Sequence, residues 1–262
     1  MRDVRKYEEL LPEEFAEVMR KNSIMYCAFG PMEYHGLYNA LGIDPGKAYE
    51  ICLRAATISG GVVFPLVPIG PGGSMRVEEM ADRNGLQTIL PTIYPSVMID
   101  VHICKKLYID LFKSFAEDLG CSVCVAFGGH GPCGSLITRI SEENDGVISG
   151  MKLLPCSSLS HNHDIVLAEY EKLGVSRINH GGLWETAMNM GVNPEFVQLD
   201  RVEGEWPDRF LQYKDNQEGL SEIEPGALLA FGQKLLDVAA ERIATEAAEL
   251  LKGQEPEQTA RT

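Results

Sequence analysis

The run CSVCVAF at 121–127 is apolar or small at every position. A strand with one wet face alternates polar and apolar residues. A run with no alternation suits a strand covered on both faces, as in a parallel sheet held between two layers of helices. The sequence around it supplies such layers. Residues 6–20 have amphipathic helical spacing, and Ser23–Phe29 reads as a short buried strand ending at Gly30-Pro31. Asp44-Pro45 resembles a helix start, with Asp44 as N-cap and Ala48, Ile51, Cys52 and Ala55 on the apolar face. GVVFPLVP at 61–68 is a second strand candidate, and 70–85 reads as a long glycine-rich loop.

Val97–Leu119 is helical by its spacing through Val101, Leu107, Leu111 and Phe115. A strand near 150–155 and a helix near 163–173 follow. A long helix at about 226–252 keeps Leu228, Phe231, Leu235, Val238 and Ile243 on one face. Strands alternating with helices predict an α/β fold: a single three-layer domain over residues 1–252, with a mostly parallel central sheet flanked by helices. The polar tail 253–262 is expected to fray.

The charge balance narrows the partners. The chain has 38 acidic and 23 basic residues, a formal net charge of −15. Phosphate neutralisation needs clustered Lys and Arg, so nucleic acid is not expected, nor is an anionic membrane surface. No run of about 18 apolar residues suggests a membrane span, and the charged N-terminus does not resemble a signal peptide. Seven scattered cysteines, an odd number, read as buried thiols in a reducing compartment. The location expected is cytoplasmic.

Metal-binding residue types gather in three segments. AFGPMEYHGLYNALGID at 28–44 leaves the first strand and places Glu33, His35 and Asp44 within twelve positions. FGGHGPCGS at 127–135 carries His130 on a glycine-rich turn after the central strand. INHGGLWETAMNM at 178–190 has His180 before two glycines and Glu185 in the first turns of a helix. Ligands in α/β sheets bind outside the carboxyl ends of the strands, so loops of this kind converge. Imidazole mixed with carboxylate suits zinc, manganese or iron(II) rather than calcium. Each segment also has a plainer reading. Glu-x-His can be a solvated loop, His130 a helix cap, and Glu185 an acid complementing a helix dipole. His102 reads as a core-edge histidine, and His161 and His163 as a capping segment or a ligand pair.

Together the segments resemble the creatininase (creatinine amidohydrolase) family. Its motifs are G-x-x-E-x-H-G followed by L-G-x-D, a strand running into G-H-G, and H-x-G-x-x-E-T. This chain has GPMEYHG with LGID, GGHGP, and HGGLWET followed by NPEFVQLDRV. The resemblance implies two divalent transition-metal ions per chain (Zn, Mn or Fe). Glu33, Asp44 and His130 would hold one ion and His35, Asp44 and Glu185 the other, with Asp44 bridging. His180 would be the proton shuttle or substrate clamp. The resemblance also implies a small-molecule substrate and a homo-oligomer, with a hexamer favoured, in which the 70–85 loop would cross into a neighbour's site.

Creatinine-cleaving relatives carry a Glu two positions after the G-H-G histidine, where this chain has Pro132. They carry a Trp four positions before the third motif's histidine, where it has Ser176, and a further Trp missing from PCSSLSHNH. Those losses argue against a flat heterocycle such as creatinine. The expected activity is hydrolysis of a small cyclic or formyl amide. The alternatives are ring opening of a cyclic polyol ketone of the inosose type, processing of a ribosomal peptide, or metal binding without catalysis.

Overall fold

The computed structural model describes residues 5–72, 95–157, 159–205 and 217–253. A five-stranded sheet lies at its centre, in the spatial order β2-β1-β3-β5-β4. The strands are β1 (Ile24–Phe29), β2 (Val62–Val63), β3 (Val123–Gly128), β4 (Val147–Ile148) and β5 (Met151–Ser157). β1 pairs in parallel with β2 and β3, and β3 with β5; only β4 runs antiparallel.

Every residue of β1 and β3 is buried, because helices cover both faces. Successive side chains point to opposite sides. Ile24, Tyr26, Ala28, Val123, Val125 and Phe127 therefore join one core, while Met25, Cys27, Phe29, Cys124 and Ala126 join the other. On the first side lie α2 (Ile43–Ser59), α5 (His163–Leu173), α6 (Leu183–Val192) and α7 (Pro225–Lys252), with α7 packed on both α2 and α6. On the second lie α1 (Pro12–Lys21), α3 (Val101–Glu117) and α4 (Gly131–Glu143). This is the α/β layering that an unbroken apolar strand predicts.

Several boundaries differ from the sequence-based expectation, each for a local reason. The first α-helix begins at Pro12, which tolerates the first helical position because its missing N–H would be unpaired there anyway. Residues Tyr7–Glu9 form only a 3-10 turn. The 61–68 run yields a strand of two residues, as Pro65 and Pro68 lack the N–H a ladder needs.

Helix α3 starts at Val101, not Val97, because the Asp100 side chain accepts the His102 and Ile103 N–H groups. Its buried face is Cys104, Tyr108, Phe112 and Phe115; Leu107 is largely exposed and His102 is exposed rather than at the core edge. Residue 44 is not an N-cap. Gly42 occupies that position and Asp44 lies inside the first turn, 1% exposed.

All seven cysteines are buried and unpaired by disulfides. No described helix is long and apolar enough to cross a membrane. Most of the 70–85 loop, from residue 73, and the 254–262 tail lie outside the described residues.

Candidate metal centre

β1 and β3 are neighbours in parallel, so their carboxyl ends deliver two loops side by side. The 30–42 loop after β1 is closed by a hydrogen bond from the Glu33 N–H to the Leu41 carbonyl. The turn after β3 passes so close that a Cβ on Gly129 would lie 1.9 Å from the Asp44 carbonyl oxygen. Only glycine admits that approach, and it sets His130 against the start of α2. His130 occupies the N-cap position of α4, yet its side chain makes no capping hydrogen bond. The capping reading of this histidine is therefore set aside.

The third segment does not follow a strand directly among the described residues; it precedes α6, after α5. Its place comes from stitching to the first loop. Gly181 has φ +67°, and a Cβ there would meet the His35 carbonyl oxygen at 2.8 Å. The Tyr38 hydroxyl donates to the Gly181 carbonyl at 2.7 Å. The Asn39 amide donates to the His35 carbonyl and to Thr186 Oγ1, each at 2.9 Å.

The structure brings all five predicted ligands together. His130 Nδ1 lies 2.8 Å from Glu33 Oε2 and 3.3 Å from Asp44 Oδ2. His35 Nε2 lies 3.3 Å from Asp44 Oδ1 and 3.6 Å from Glu185 Oε2. Three donor groups result, Glu33–His35–His180, Glu33–Asp44–His130 and His35–Asp44–Glu185; the last two, the triads built on Asp44, divide its two oxygens between them.

Donor chemistry fits a cation at this place. Glu33 Oε2, Asp44 Oδ2 and His35 Nε2, which face the two triads, are buried without a hydrogen-bonding partner among the described residues. Buried polar atoms rarely remain so without a ligand or water. His35 is also oriented for coordination. The Glu33 carbonyl can only accept, so the 3.1 Å contact with His35 Nδ1 requires an N–H there, which aims Nε2 at the carboxylates.

A residue with no role in the sequence reading sits among them. Lys47 is fully buried, and its ammonium donates to Asp44 Oδ1 at 2.8 Å and to Glu185 Oε1 at 2.7 Å. The same Nζ stands 4.9 Å from the centre of the Trp184 ring. Glu185 Oε2 accepts the Gly181 N–H at 2.7 Å, so this carboxylate braces the start of α6 as well as facing the centre.

The charges hold one another in place. Burial alone would raise the Asp44 and Glu185 carboxyls, but Lys47 and His35 outweigh it. Asp44 falls well below the usual carboxylate range and Glu185 to about 2. Burial would lower both imidazoles. Asp44 and Glu185 instead raise His35 to about 9, and Asp44 with Glu33 raises His130 to about 10.

A raised imidazole pKa means that a proton competes with a cation for the same nitrogen. Metal affinity should therefore climb as pH rises toward 9–10, and loading at neutral pH should release about one proton per ion. Calorimetry in buffers of different ionisation enthalpy measures this release. A loading heat independent of buffer would contradict it.

His180 is exposed, with its ring centre 4.1 Å from that of His35. Its Nε2 donates to the Tyr34 carbonyl at 2.6 Å, which makes Nδ1 the basic atom of the neutral ring. Beside it a pocket of about 240 Å³ is lined by Gly129, Ser157, Ile178, His180, Trp184 and Glu185. Trp184, inside the HGGLWET segment, supplies an aromatic wall of this pocket. Ser176 instead ties down a loop by donating from its N–H and hydroxyl to Glu218. His161 and His163 lie away from both triads: the His161 ring nitrogens contact Ser157, Ser160 and Glu246, and His163 is exposed.

The family model for Creatininase, described as creatinine amidohydrolase, matches residues 8–247. Solved structures are similar over nearly the whole chain. A crystal structure of creatinine amidohydrolase (creatininase) is 18% identical with a TM-score of 0.68, covering 95% of this chain and 99% of that one. A manganese form of creatininase is 20% identical, TM-score 0.66, with the same coverage. A putative creatinine amidohydrolase from Bacteroides fragilis is 15% identical, TM-score 0.60, covering 98% of this chain and 99% of that one. No curated protein sequence matches the chain.

Proposed function

The chain belongs to the creatininase family, a family of metal-dependent amidohydrolases acting on C–N bonds, and from that premise we propose that it hydrolyses a small cyclic or formyl amide other than creatinine. The observation that carries the reading is the pair of donor triads sharing Asp44 beside a pocket of about 240 Å³. Related creatininases are described in a Zn-Zn type and in a manganese form, which supports zinc or manganese here. Divalent metal held at these triads would polarise the substrate carbonyl and acidify a water molecule.

The chain's own groups would do the rest. In amide hydrolysis the water oxygen bonds to the carbonyl carbon, the C–N bond breaks, and a proton must reach the departing nitrogen. His180 Nδ1 is the group proposed to carry that proton, since Nε2 is committed to Tyr34. Glu33, Asp44, Glu185, His35 and His130 would hold the ions, and Gly129 and Ile178 form pocket walls that keep the substrate small.

One structural neighbour is described as a creatininase complexed with creatine, so a small-molecule substrate is in keeping with the fold. Creatinine itself is disfavoured by Pro132 and Ser176. Neither position lines the pocket, and Trp184, which does, has its ring engaged by the Lys47 ammonium. A pocket of this volume suits a small ring better than a peptide, which needs a longer groove. Seven buried, unpaired thiols support a reducing compartment such as the cytoplasm. A homo-oligomer, a hexamer by family likeness, is part of the same proposal.

The test is a panel of lactams, formamides, creatinine, cyclic polyol ketones and short peptides, offered to metal-loaded protein. Turnover of a lactam or formamide, with creatinine slow or inert, is the expected result. Robust creatinine hydrolysis would overturn the weight placed on positions 132 and 176. Exclusive turnover of peptides or polyol ketones would overturn the amide assignment.

A further inference from the structure

The two triads are chemically unequal. At Glu33–Asp44–His130, the facing oxygens Glu33 Oε2 and Asp44 Oδ2 are buried without a hydrogen-bonding partner among the described residues, and lie 2.8 and 3.3 Å from Nδ1 of His130, itself a candidate ligand. At His35–Asp44–Glu185, both carboxylates already hold a cation: the Lys47 ammonium is bonded to Asp44 Oδ1 and Glu185 Oε1. Lys47 is three residues after Asp44 on α2, so the helix itself carries the ammonium to the same face. The side chain is fully buried, with Nζ 4.9 Å from the centre of the Trp184 ring.

We infer that this chain holds one tightly bound divalent ion, at Glu33, Asp44 and His130, and that the Lys47 ammonium takes the place of the second. The inference rests on the metal-dependent reading above and changes its stoichiometry.

Charge counting supports it. Glu33, Asp44 and Glu185 contribute three negative charges to the two triads. One dication and the Lys47 ammonium supply three positive charges, which balance them. A second dication beside Lys47 would leave two positive charges in excess in a buried site, and uncompensated buried charge is strongly unfavourable. An ammonium also differs from a metal ion in function. It donates three hydrogen bonds in fixed directions but offers no vacant coordination position. Polarisation of a substrate would then fall to the single ion, with Lys47 fixing the geometry of the bridging carboxylate.

The experiment is elemental analysis of full-length protein loaded with excess zinc or manganese and then desalted. The wild-type protein should retain one ion per chain, and Lys47→Met, which keeps the length of the side chain and removes its charge, should retain two. His35→Ala in the wild-type background should leave the count at one, whereas His130→Ala should lower it to near zero. Two ions in the wild-type protein would overturn the substitution by Lys47 while leaving the metal-dependent reading intact. No ion in the wild-type protein would overturn both. Should Lys47→Met fail to fold, the wild-type count and the two histidine variants still decide the matter.

Discussion

Asp44→Asn is expected to empty the centre of metal and to lower turnover by about a thousandfold or more. Removing several kcal/mol of charge stabilisation from a transition state corresponds to at least that factor. Both oxygens of Asp44 are committed, Oδ1 toward Lys47 and His35 and Oδ2 toward His130. Among the described residues no other carboxylate belongs to both of these triads. Asparagine keeps the volume and can still accept from Lys47, so the fold should survive. Asp44→Ala goes further, because it strips Lys47 and His35 of a charged partner inside the protein. Loss of one member of a buried ion pair costs roughly 3–5 kcal/mol. The alanine variant should therefore melt well below the asparagine variant, while both lack ions. Elemental analysis and thermal denaturation check the two halves separately. Full ion content in Asp44→Asn would show that the carboxylate is not a ligand.

The contrast between Asp44 and Lys47 shows what was legible before the structure. Asp44 announced itself because a carboxylate in LGID, close behind Glu33 and His35, belongs to a donor set that recurs in three segments. Lys47 did not, since a lysine in GKAYE near the start of a helix ordinarily faces water. The signal was its spacing: three residues beyond Asp44 puts it on the same helical face, and the buried Ala48, Ile51, Cys52 and Ala55 mark α2 as a helix with little solvent-facing surface. A buried lysine requires carboxylates, and the nearest available ones are the candidate ligands.

Strands β1 and β3 were readable because burial on both faces leaves no alternation to misread. β2 was not, because its two prolines end the ladder without changing the hydrophobic pattern. Helix α3 was legible apart from its start: Val101, Leu111 and Phe115 of the expected face pack on the core, and Leu107 does not. Leu107 and Tyr108 fit the 3.6-residue period about equally, and packing of the Tyr108 and Phe112 rings against Phe29 chose between them. Trp184 was visible as a residue but not as a pocket wall. Its direction depends on how α6 is fixed by the stitching of Gly181 to the 30–42 loop.

His180→Asn is expected to keep the ion content and lose about two to four orders of magnitude in turnover, the scale set by removal of a positioned acid or base. The histidine is well placed for proton transfer. It is exposed at the rim of the pocket, its ring lies 4.1 Å from that of His35, and the Tyr34 carbonyl holds Nε2 so that Nδ1 is the basic atom. The same hydrogen bond gives it a structural task, because it ties the 178–182 turn to the loop carrying Glu33 and His35. The two roles separate by measurement. If the imidazole moves a proton, the rate–pH profile of the asparagine variant should lose the limb that belongs to imidazole titration, with melting temperature and ion count near those of the parent. If the ring only anchors the turn, Glu185 and His35 lose their alignment together. Ion content and stability then fall in step, and the residual activity keeps the original pH profile. That second pattern would remove His180 from the chemistry and leave the proton to a water molecule or another group at the pocket rim.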